Sequence, residues 1–106
     1  MAIYIPAGKV CGFRPAVRRV KSSRTLSKVD SMIFITASNI TLTLPSGCED
    51  GQMYMIQPYG NSAFIACSGS DTFEDNSTSK GLVGYVLYFI IYDSVNSKWS
   101  LGYSNV

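Results

Sequence analysis

"NITLTLPSGCEDGQMYMI", residues 39–56, is the stretch that most clearly indicates how the chain folds. Its first half alternates aliphatic and threonine residues, which is typical of a β-strand with one buried face. Pro45 ends this strand because proline has no N–H to donate to a neighbouring strand. The turn that follows contains Gly51. We interpret it as the point where one strand reverses into the next, with Glu49 and Asp50 in water.

Similar short apolar segments lie on both sides of this stretch, separated by turns rich in glycine, serine, asparagine and aspartate. Their β-branched and aromatic residues predict strands, and no segment has the apolar spacing of a helix. The predicted strands are Ala2–Ile5, Ser31–Thr36, Ile40–Leu44, Gln52–Gln57, Ala63–Cys67, Tyr85–Tyr92 and Lys98–Ser104. A polar loop precedes the last two, and Phe73 is its one buried candidate. The sequence therefore predicts an all-β fold, a small antiparallel β-sandwich or barrel that is jelly-roll-like.

Length and composition point to one compact domain. The chain has 106 residues, of which 46% are apolar and only 15% charged, a balance opposite to that of disordered proteins. Low charge and many aromatic residues suggest that other subunits cover part of the surface. The first ten residues lack the apolar core of a signal peptide. The longest apolar run, residues 82–92, is shorter than the ~20 residues of a membrane-spanning helix. We expect a soluble protein, made in a cytoplasm and without a membrane partner.

Charge divides the chain into two parts. Residues 1–28 hold seven lysine and arginine residues and no acid, whereas the remaining residues carry a net charge of −5. Such an asymmetry predicts a basic arm on a mildly acidic body. We place an extended N-terminal arm at residues 1–24 and a β-sandwich or barrel domain at residues 25–106. The arm residues expected to make the strongest contacts are Arg14, Arg18, Arg19, Arg24 and Phe13.

Three kinds of surroundings would suit this arm. An arginine side chain can donate two hydrogen bonds to one carboxylate, so an acidic protein surface is the favoured partner. Nucleic acid would bind the same charges through its phosphates. It is less favoured, because the arm offers Phe13 for stacking but no regular alternation of aromatic and basic residues. A solvated arm without a partner is the third alternative.

The segment Tyr85–Tyr92, "YVLYFIIY", is apolar on both faces. An antiparallel sheet normally shows water a polar face, and such a strand left exposed would promote aggregation. Either the strand lies centrally within the domain or its second face is a subunit interface. The modest core expected of a chain of this length favours the interface. We therefore predict a homo-oligomer whose subunit contact is formed by Val86, Tyr88, Ile90 and Tyr92.

Few residues in the sequence offer chemistry. The chain has no histidine, which excludes the usual serine and cysteine triads and histidine metal sites. We interpret Asp71, Glu74 and Asp75 as solvated turn acids. A calcium site is the less favoured alternative, because their spacing does not match an EF-hand loop. The "GLVG" segment at residues 81–84 lacks the lysine and hydroxyl residue of a phosphate-binding loop. We predict no catalytic, cofactor or metal site and no enzyme activity.

The three cysteines, Cys11, Cys48 and Cys67, are odd in number, and no two have CxxC spacing. Disulfides are rare in proteins that are made and kept in a cytoplasm. We therefore expect reduced thiols, packed mainly as small apolar groups, rather than a disulfide framework.

Residues 25–102 resemble a module found in structural proteins of tailed bacteriophages. The resemblance rests on "ITLTLPS" at residues 40–46, the turn at Gly51, "SGSDTF" at residues 68–73 and "NSKWSL" at residues 96–101. A long apolar strand separates the last two motifs, as it does in that module.

The resemblance implies a virion component, assembled in the host bacterial cytoplasm, rather than an enzyme. Proteins with this module occur in tail fibres, spikes, baseplates and capsid decorations, often as trimers. Because the module makes up most of this chain, we expect a capsid decoration (auxiliary or cementing) or head-fibre protein. It would form a homotrimer and dock through its arm on the major capsid protein or another virion protein. A tail, baseplate or tail-fibre component that binds a receptor or carbohydrate is the alternative. A small hydrolase is the least favoured hypothesis.

Overall fold

The computed structural model describes residues 16–60 and 62–104, and within these ranges all regular structure is β. The strands are β1 (Val17–Val20), β2 (Arg24–Thr25), β3 (Met32–Ile35), β4 (Ile40–Thr43), β5 (Met53–Pro58), β6 (Ala63–Ala66), β7 (Thr72–Phe73), β8 (Ser79–Leu82), β9 (Leu87–Asp93) and β10 (Lys98–Ser104). The prediction of an all-β fold is confirmed. No helix able to cross a lipid bilayer occurs in the described ranges.

The strands form two sheets, here called sheet A and sheet B. Sheet A has six strands in the order β1-β3-β5-β9-β10-β7, and sheet B has four in the order β2-β4-β6-β8. From β1 to β9, each strand lies in the sheet opposite to that of its predecessor, so the chain winds around a shared interior. The last connection is a hairpin within sheet A, in which Trp99 of β10 lies opposite Tyr92 of β9.

Parallel pairing is the main difference from the predicted fold. In sheet A, β1, β3 and β5 run parallel, and in sheet B, β2, β4 and β6 do the same. The antiparallel pairs among the described strands are β5–β9, β9–β10 and β6–β8. The prediction of an antiparallel arrangement is therefore wrong, because both sheets are mixed. Apolar and polar residues alternate with the same period in both kinds of sheet, so the sequence pattern did not distinguish them.

The turn at Gly51 has a different role from the predicted one. It does not fold β5 back against β4, because the two strands lie in different sheets, and the turn carries the chain from sheet B to sheet A. Gly51 adopts a φ of 86°, which glycine reaches without steric cost. Its N–H donates to the carbonyl of Tyr92 at 2.8 Å, which fixes the turn against β9. Glu49 and Asp50 are exposed, as predicted.

One hydrophobic core is shared by the two sheets. Buried and half-buried residues alternate along β4, as the sequence predicts. The fully buried Trp99 has its ring centroid 4.7 Å from that of Tyr92 and 6.0 Å from that of Tyr54. Aliphatic side chains without any exposure come from both sheets, namely Ile33, Ile35, Ile56, Ile90, Leu42 and Ile65. Burying such a side chain contributes about 1.5–3 kcal/mol, so this core is the main force that holds the sheets together.

Most predicted strands agree with the structure. The six that lie in the described ranges are confirmed as β3, β4, β5, β6, β9 and β10, with ends shifted by a residue or two. The predicted strand Ala2–Ile5 lies outside the described residues. The sequence missed β7 and β8, which form in the segment predicted to be a polar loop. Phe73, the buried candidate of that segment, is fully buried.

The N-terminal basic segment is partly built into the sheets. Residues 1–15 lie outside the described residues, but β1 and β2 are edge strands of sheet A and sheet B. Val20 and Leu26 are buried in the common core and hold this segment on the body. The sheets therefore begin before residue 25, where the sequence placed the start of the domain.

Candidate functional site

Sheet A carries an exposed apolar surface on the side that faces away from the core. We call it the outer apolar face. Its exposed members are Val17, Met53, Phe89 and Ile91, its half-buried members are Phe34, Met55 and Leu87, and Met32 is buried between them. Paired residues place their side chains on the same side of a sheet, so one row runs across β1, β3, β5 and β9. That row consists of Val17, Met32, Met55 and Phe89. Exposed apolar residues that adjoin over several strands are typical of an interaction surface.

Polar and small residues frame this face. On the β10 side, Ser100 lies opposite Ile91 and Gly102 opposite Phe89, so the apolar surface stops there. At the opposite edge, the guanidinium of Arg19 lies 5.7 Å from the ring centroid of Phe34. An apolar centre with a polar rim is the usual composition of a protein contact surface.

An aromatic row borders the outer apolar face. The rings of Phe34 and Tyr59 are stacked with centroids 5.4 Å apart, and the ring of Tyr85 lies 6.3 Å from that of Tyr59. Tyr85 is 73% exposed and has a φ of 64°, an uncommon backbone conformation for a bulky residue. Its N–H donates to the Pro58 carbonyl at 2.7 Å, which helps to hold this conformation.

The residues predicted to form the subunit contact lie on the opposite side of β9. Tyr88, Ile90 and Tyr92 are buried in the core, and Val86 packs against it. The hydroxyl of Tyr88 accepts a hydrogen bond from the Val83 N–H at 2.7 Å, which ties this side chain into the fold. The side of the strand that is open to a partner is therefore the outer apolar face. Both faces of the segment are apolar, so its sequence did not reveal which one the core would take.

The second surface is a group of cations on the first two strands. We call the exposed side chains Arg19, Lys21 and Arg24 the basic edge. Arg18 is not part of it, because its Nε donates to Asp30 Oδ1 at 2.7 Å. Of the residues predicted to make arm contacts, Arg19 and Arg24 are available and Arg18 is engaged within the chain. The remaining two, Phe13 and Arg14, lie outside the described residues.

Carboxylates of the body are engaged within the chain. Hydrogen bonds from other residues reach the carboxylates of Asp30, Asp50, Asp71, Glu74, Asp75 and Asp93. Asp71, Glu74 and Asp75 each have a different partner, respectively a buried tyrosine, a backbone N–H of β10 and a lysine. In the part of the chain that the structure describes, no three potential ligands are grouped to hold a metal ion.

Replacing Asp30 with asparagine should reduce the acid sensitivity of the fold. Burial alone would raise the pKa of Asp30, but hydrogen bonds from Arg18 and the Ser27 N–H outweigh it. The positive charges of Arg18 and Arg24 lower it further, so the pKa of Asp30 lies below its ordinary value. A lowered pKa stabilises the fold above the unfolded pKa, and this contribution is lost as the pH falls through the folded value.

Urea unfolding at a series of pH values checks this prediction. Below about pH 4, the ordinary range of an aspartate, we expect wild-type stability to fall more steeply than that of Asp30→Asn. Glu49→Gln is the control, because it neutralises an exposed acid without a hydrogen-bonded partner among the described residues. If the two variants lost stability in parallel with the wild type, the Asp30 contacts would contribute nothing.

Asp71 departs from the prediction that it is solvated, since it is only 7% exposed. Its Oδ1 accepts a hydrogen bond from the Tyr92 hydroxyl at 2.8 Å. Its Oδ2 and the Nε1 of Trp99 are buried without a hydrogen-bond partner among the described residues. The prediction was wrong because Asp71 leads directly into β7, which pairs with β10 beside the core. No sequence pattern indicates that pairing.

Cys48 and Cys67 are free thiols, and Cys11 lies outside the described residues. Burial raises the pKa of both thiols, that of Cys67 to about 11, and the negative charge of Asp71 adds to the effect. The thiolate is the nucleophilic form of cysteine, and its formation is disfavoured at both residues.

The outer apolar face and the basic edge meet on β1. Val17 and Arg19 are alternate residues of that strand, so their side chains point to the same side of sheet A.

No protein-family model matches the chain, and a search of curated proteins found no match. The function must therefore be argued from these two surfaces.

Proposed function

We propose that this protein is a structural component of a tailed-bacteriophage virion that self-associates through the outer apolar face and docks on the particle through its basic N-terminal segment. The observation that carries the proposal is a sheet with apolar side chains on both sides. One side fills the core, and the other side exposes Val17, Met53, Phe89 and Ile91 in the single chain. The class of protein comes from the sequence resemblance. We also infer a sandwich-like packing of the two sheets, because they share one core.

A second copy of the chain is the partner that best suits the outer apolar face. The face contains no charged side chain, and contacts between identical subunits are more apolar than other protein contacts. Two of its central residues, Met53 and Met55, have flexible side chains that adapt to an opposing surface. Left uncovered, a flat apolar sheet surface promotes uncontrolled association. From the resemblance, we expect the assembly to be a trimer.

Docking on the particle is assigned to the N-terminal side of the molecule. The basic edge lies on β1 and β2, and the lysine and arginine residues of positions 1–15 precede it directly in the chain. Positive charges without acidic partners favour a negatively charged surface. A capsid decoration or head-fibre protein needs these two properties together, a contact with its own copies and a contact with the capsid.

The alternative is a tail, baseplate or tail-fibre component with a receptor- or carbohydrate-binding role. The aromatic row at Tyr59 and Tyr85 favours it, because exposed rings stack on the apolar faces of sugars. Tyr85 is held exposed in an uncommon backbone conformation, and such conformations are often kept at functional sites.

The composition of purified virions tests the proposed function. Quantitative mass spectrometry of particles from cells that make this protein should find it in many copies, as expected of capsid decoration. A few copies per particle, together with binding on a glycan array, would favour the tail or fibre role. Absence of the protein from washed particles would overturn the proposal in both forms.

A further inference from the structure

We infer that the β1–β2 end of the molecule binds an extended, acidic segment of another protein by adding it as a strand to the edge of sheet A. This inference deepens the docking step of the proposed function by naming the chemistry of the partner. β1 and β2 are the edge strands of their sheets and belong to the same turn of the winding chain. On the side of each sheet away from β1 and β2, the parallel strands are followed by an antiparallel one, β9 beside β5 in sheet A and β8 beside β6 in sheet B.

The backbone of β1 has hydrogen-bonding groups that face outward. The carbonyls of Ala16 and Val20 accept hydrogen bonds from residues of β3 or directly after it, so the even-numbered residues of β1 point towards β3. Backbone direction alternates along a strand, and the N–H and C=O groups of Val17 and Arg19 therefore point away from β3. Among the described residues, β1 pairs with β3 alone. An unpaired edge of this kind is a template for a further strand.

The charges at this edge select the partner. Arg19, Lys21 and Arg24 are exposed, and no carboxylate of the described residues lies within salt-bridge distance of them. Asp30, the acid closest to this group in the chain, is bound by Arg18. The other carboxylates of the body are mostly engaged elsewhere. Arg24 interacts with the charge of Asp30 at longer range, but no residue of the basic edge forms an ion pair with a carboxylate of the described residues.

An acidic strand fits this edge better than the other possible occupants. Charged side chains on edge strands normally prevent pairing, and two copies of β1 would bring like charges together. An incoming strand with glutamate or aspartate would instead attract these side chains while pairing with the free backbone groups. Nucleic acid would bind the charges but has no backbone N–H and C=O ladder to match the strand.

Fluorescence anisotropy with short labelled peptides tests this inference on the full chain. The probe is a peptide of alternating glutamate and valine, compared with a peptide of alternating lysine and valine and with a single-stranded oligonucleotide. We expect the acidic peptide to bind, with binding weakened by salt, and the basic peptide not to bind. No binding of the acidic peptide, or tighter binding of the oligonucleotide, would overturn the inference.

Matched variants separate charge from strand pairing. Reversing Arg19 and Arg24 to glutamate should weaken peptide binding by roughly tenfold or more, while lysine at both positions should preserve it. Val17→Pro removes an outward N–H but no charge, and edge strands tolerate proline. This variant should also bind the peptide more weakly. In the wild-type protein, the amide hydrogen of Arg19 should exchange with solvent more slowly when the peptide is bound. Full binding by Val17→Pro with unchanged exchange at Arg19 would reject strand addition.

The peptide experiment does not depend on whether the protein is part of a virion. Binding of the acidic peptide by a protein absent from virions would reject the proposed function and leave this inference standing. If the protein is found in virions but does not bind the acidic peptide, the inference is rejected and the proposed function stands.

Discussion

Replacing Ile90 with aspartate should prevent the chain from folding, whereas the same replacement at Ile91 should leave it folded and unable to self-associate. Ile90 has no exposed surface and lies opposite Tyr54 of β5 and Leu101 of β10. Loss of its side chain from the core costs about 2–5 kcal/mol. A buried unpaired charge adds several kcal/mol more. The sum is comparable to the ~5–15 kcal/mol that stabilise a typical domain.

Ile91 is the matched control because it is the next residue and has the same side chain. It is 46% exposed on the outer apolar face, so a carboxylate there stays in water in the single chain. A surface substitution of this kind usually changes stability by no more than about 0.5 kcal/mol. In a contact between copies, however, the same carboxylate would be buried without a partner and would separate the subunits.

Circular dichroism and light scattering at micromolar concentration distinguish these outcomes. We expect Ile90→Asp to lack the β-sheet signal, and Ile91→Asp to keep it while its mass falls to that of one chain. A wild-type protein that is already a monomer would refute self-association. If Ile90→Asp folded but assembled poorly, the subunit contact would instead lie on the side of β9 that carries Tyr88, Ile90 and Tyr92, as the sequence predicted.

Replacing Gly84 with alanine should cost about 1–3 kcal/mol, because the added methyl group overlaps the backbone of Gly60. A Cβ at Gly84 would overlap the carbonyl oxygen of Gly60 and lie 2.8 Å from its carbonyl carbon. The turn before β9 and the turn after β5 meet at this point, and the hydrogen bond from the Tyr85 N–H to the Pro58 carbonyl ties them together. The substitution must push the two turns apart and weaken that bond.

Gly81 is the control for this prediction. A Cβ there would meet the Phe64 ring at 3.9 Å, which is ordinary contact, so Gly81→Ala should be neutral or slightly stabilising. Thermal unfolding should show a midpoint lowered by several degrees for Gly84→Ala alone, since about 1 kcal/mol corresponds to roughly 4–8 °C in a domain of this size. Equal midpoints for the two variants would mean that the turns separate without cost.

Local sequence patterns located most of the strands. The alternation at residues 40–44, the β-branched content of residues 31–36 and the apolar run at residues 85–92 each correspond to a strand. These patterns predict strands correctly because the alternation of apolar and polar side chains along a strand is a property of the strand's own residues. They failed at β1, β2, β7 and β8, where pairing with distant strands stabilises short segments of weak propensity. Trp99 lying opposite Phe73 in parallel strands is one such pairing.

The sequence by itself determined that the chain is all-β, that its positive charge is concentrated at one end and that one strand is apolar on both faces. The tertiary structure alone decided strand direction, the side of β9 that enters the core and the cations that remain free. The physical reason is that alternation has a period of two, and reversing a strand or exchanging its faces leaves it unchanged. Ile90 and Ile91 are equally apolar, and only their neighbours on β5 and β10 make one a core residue and the other a surface residue.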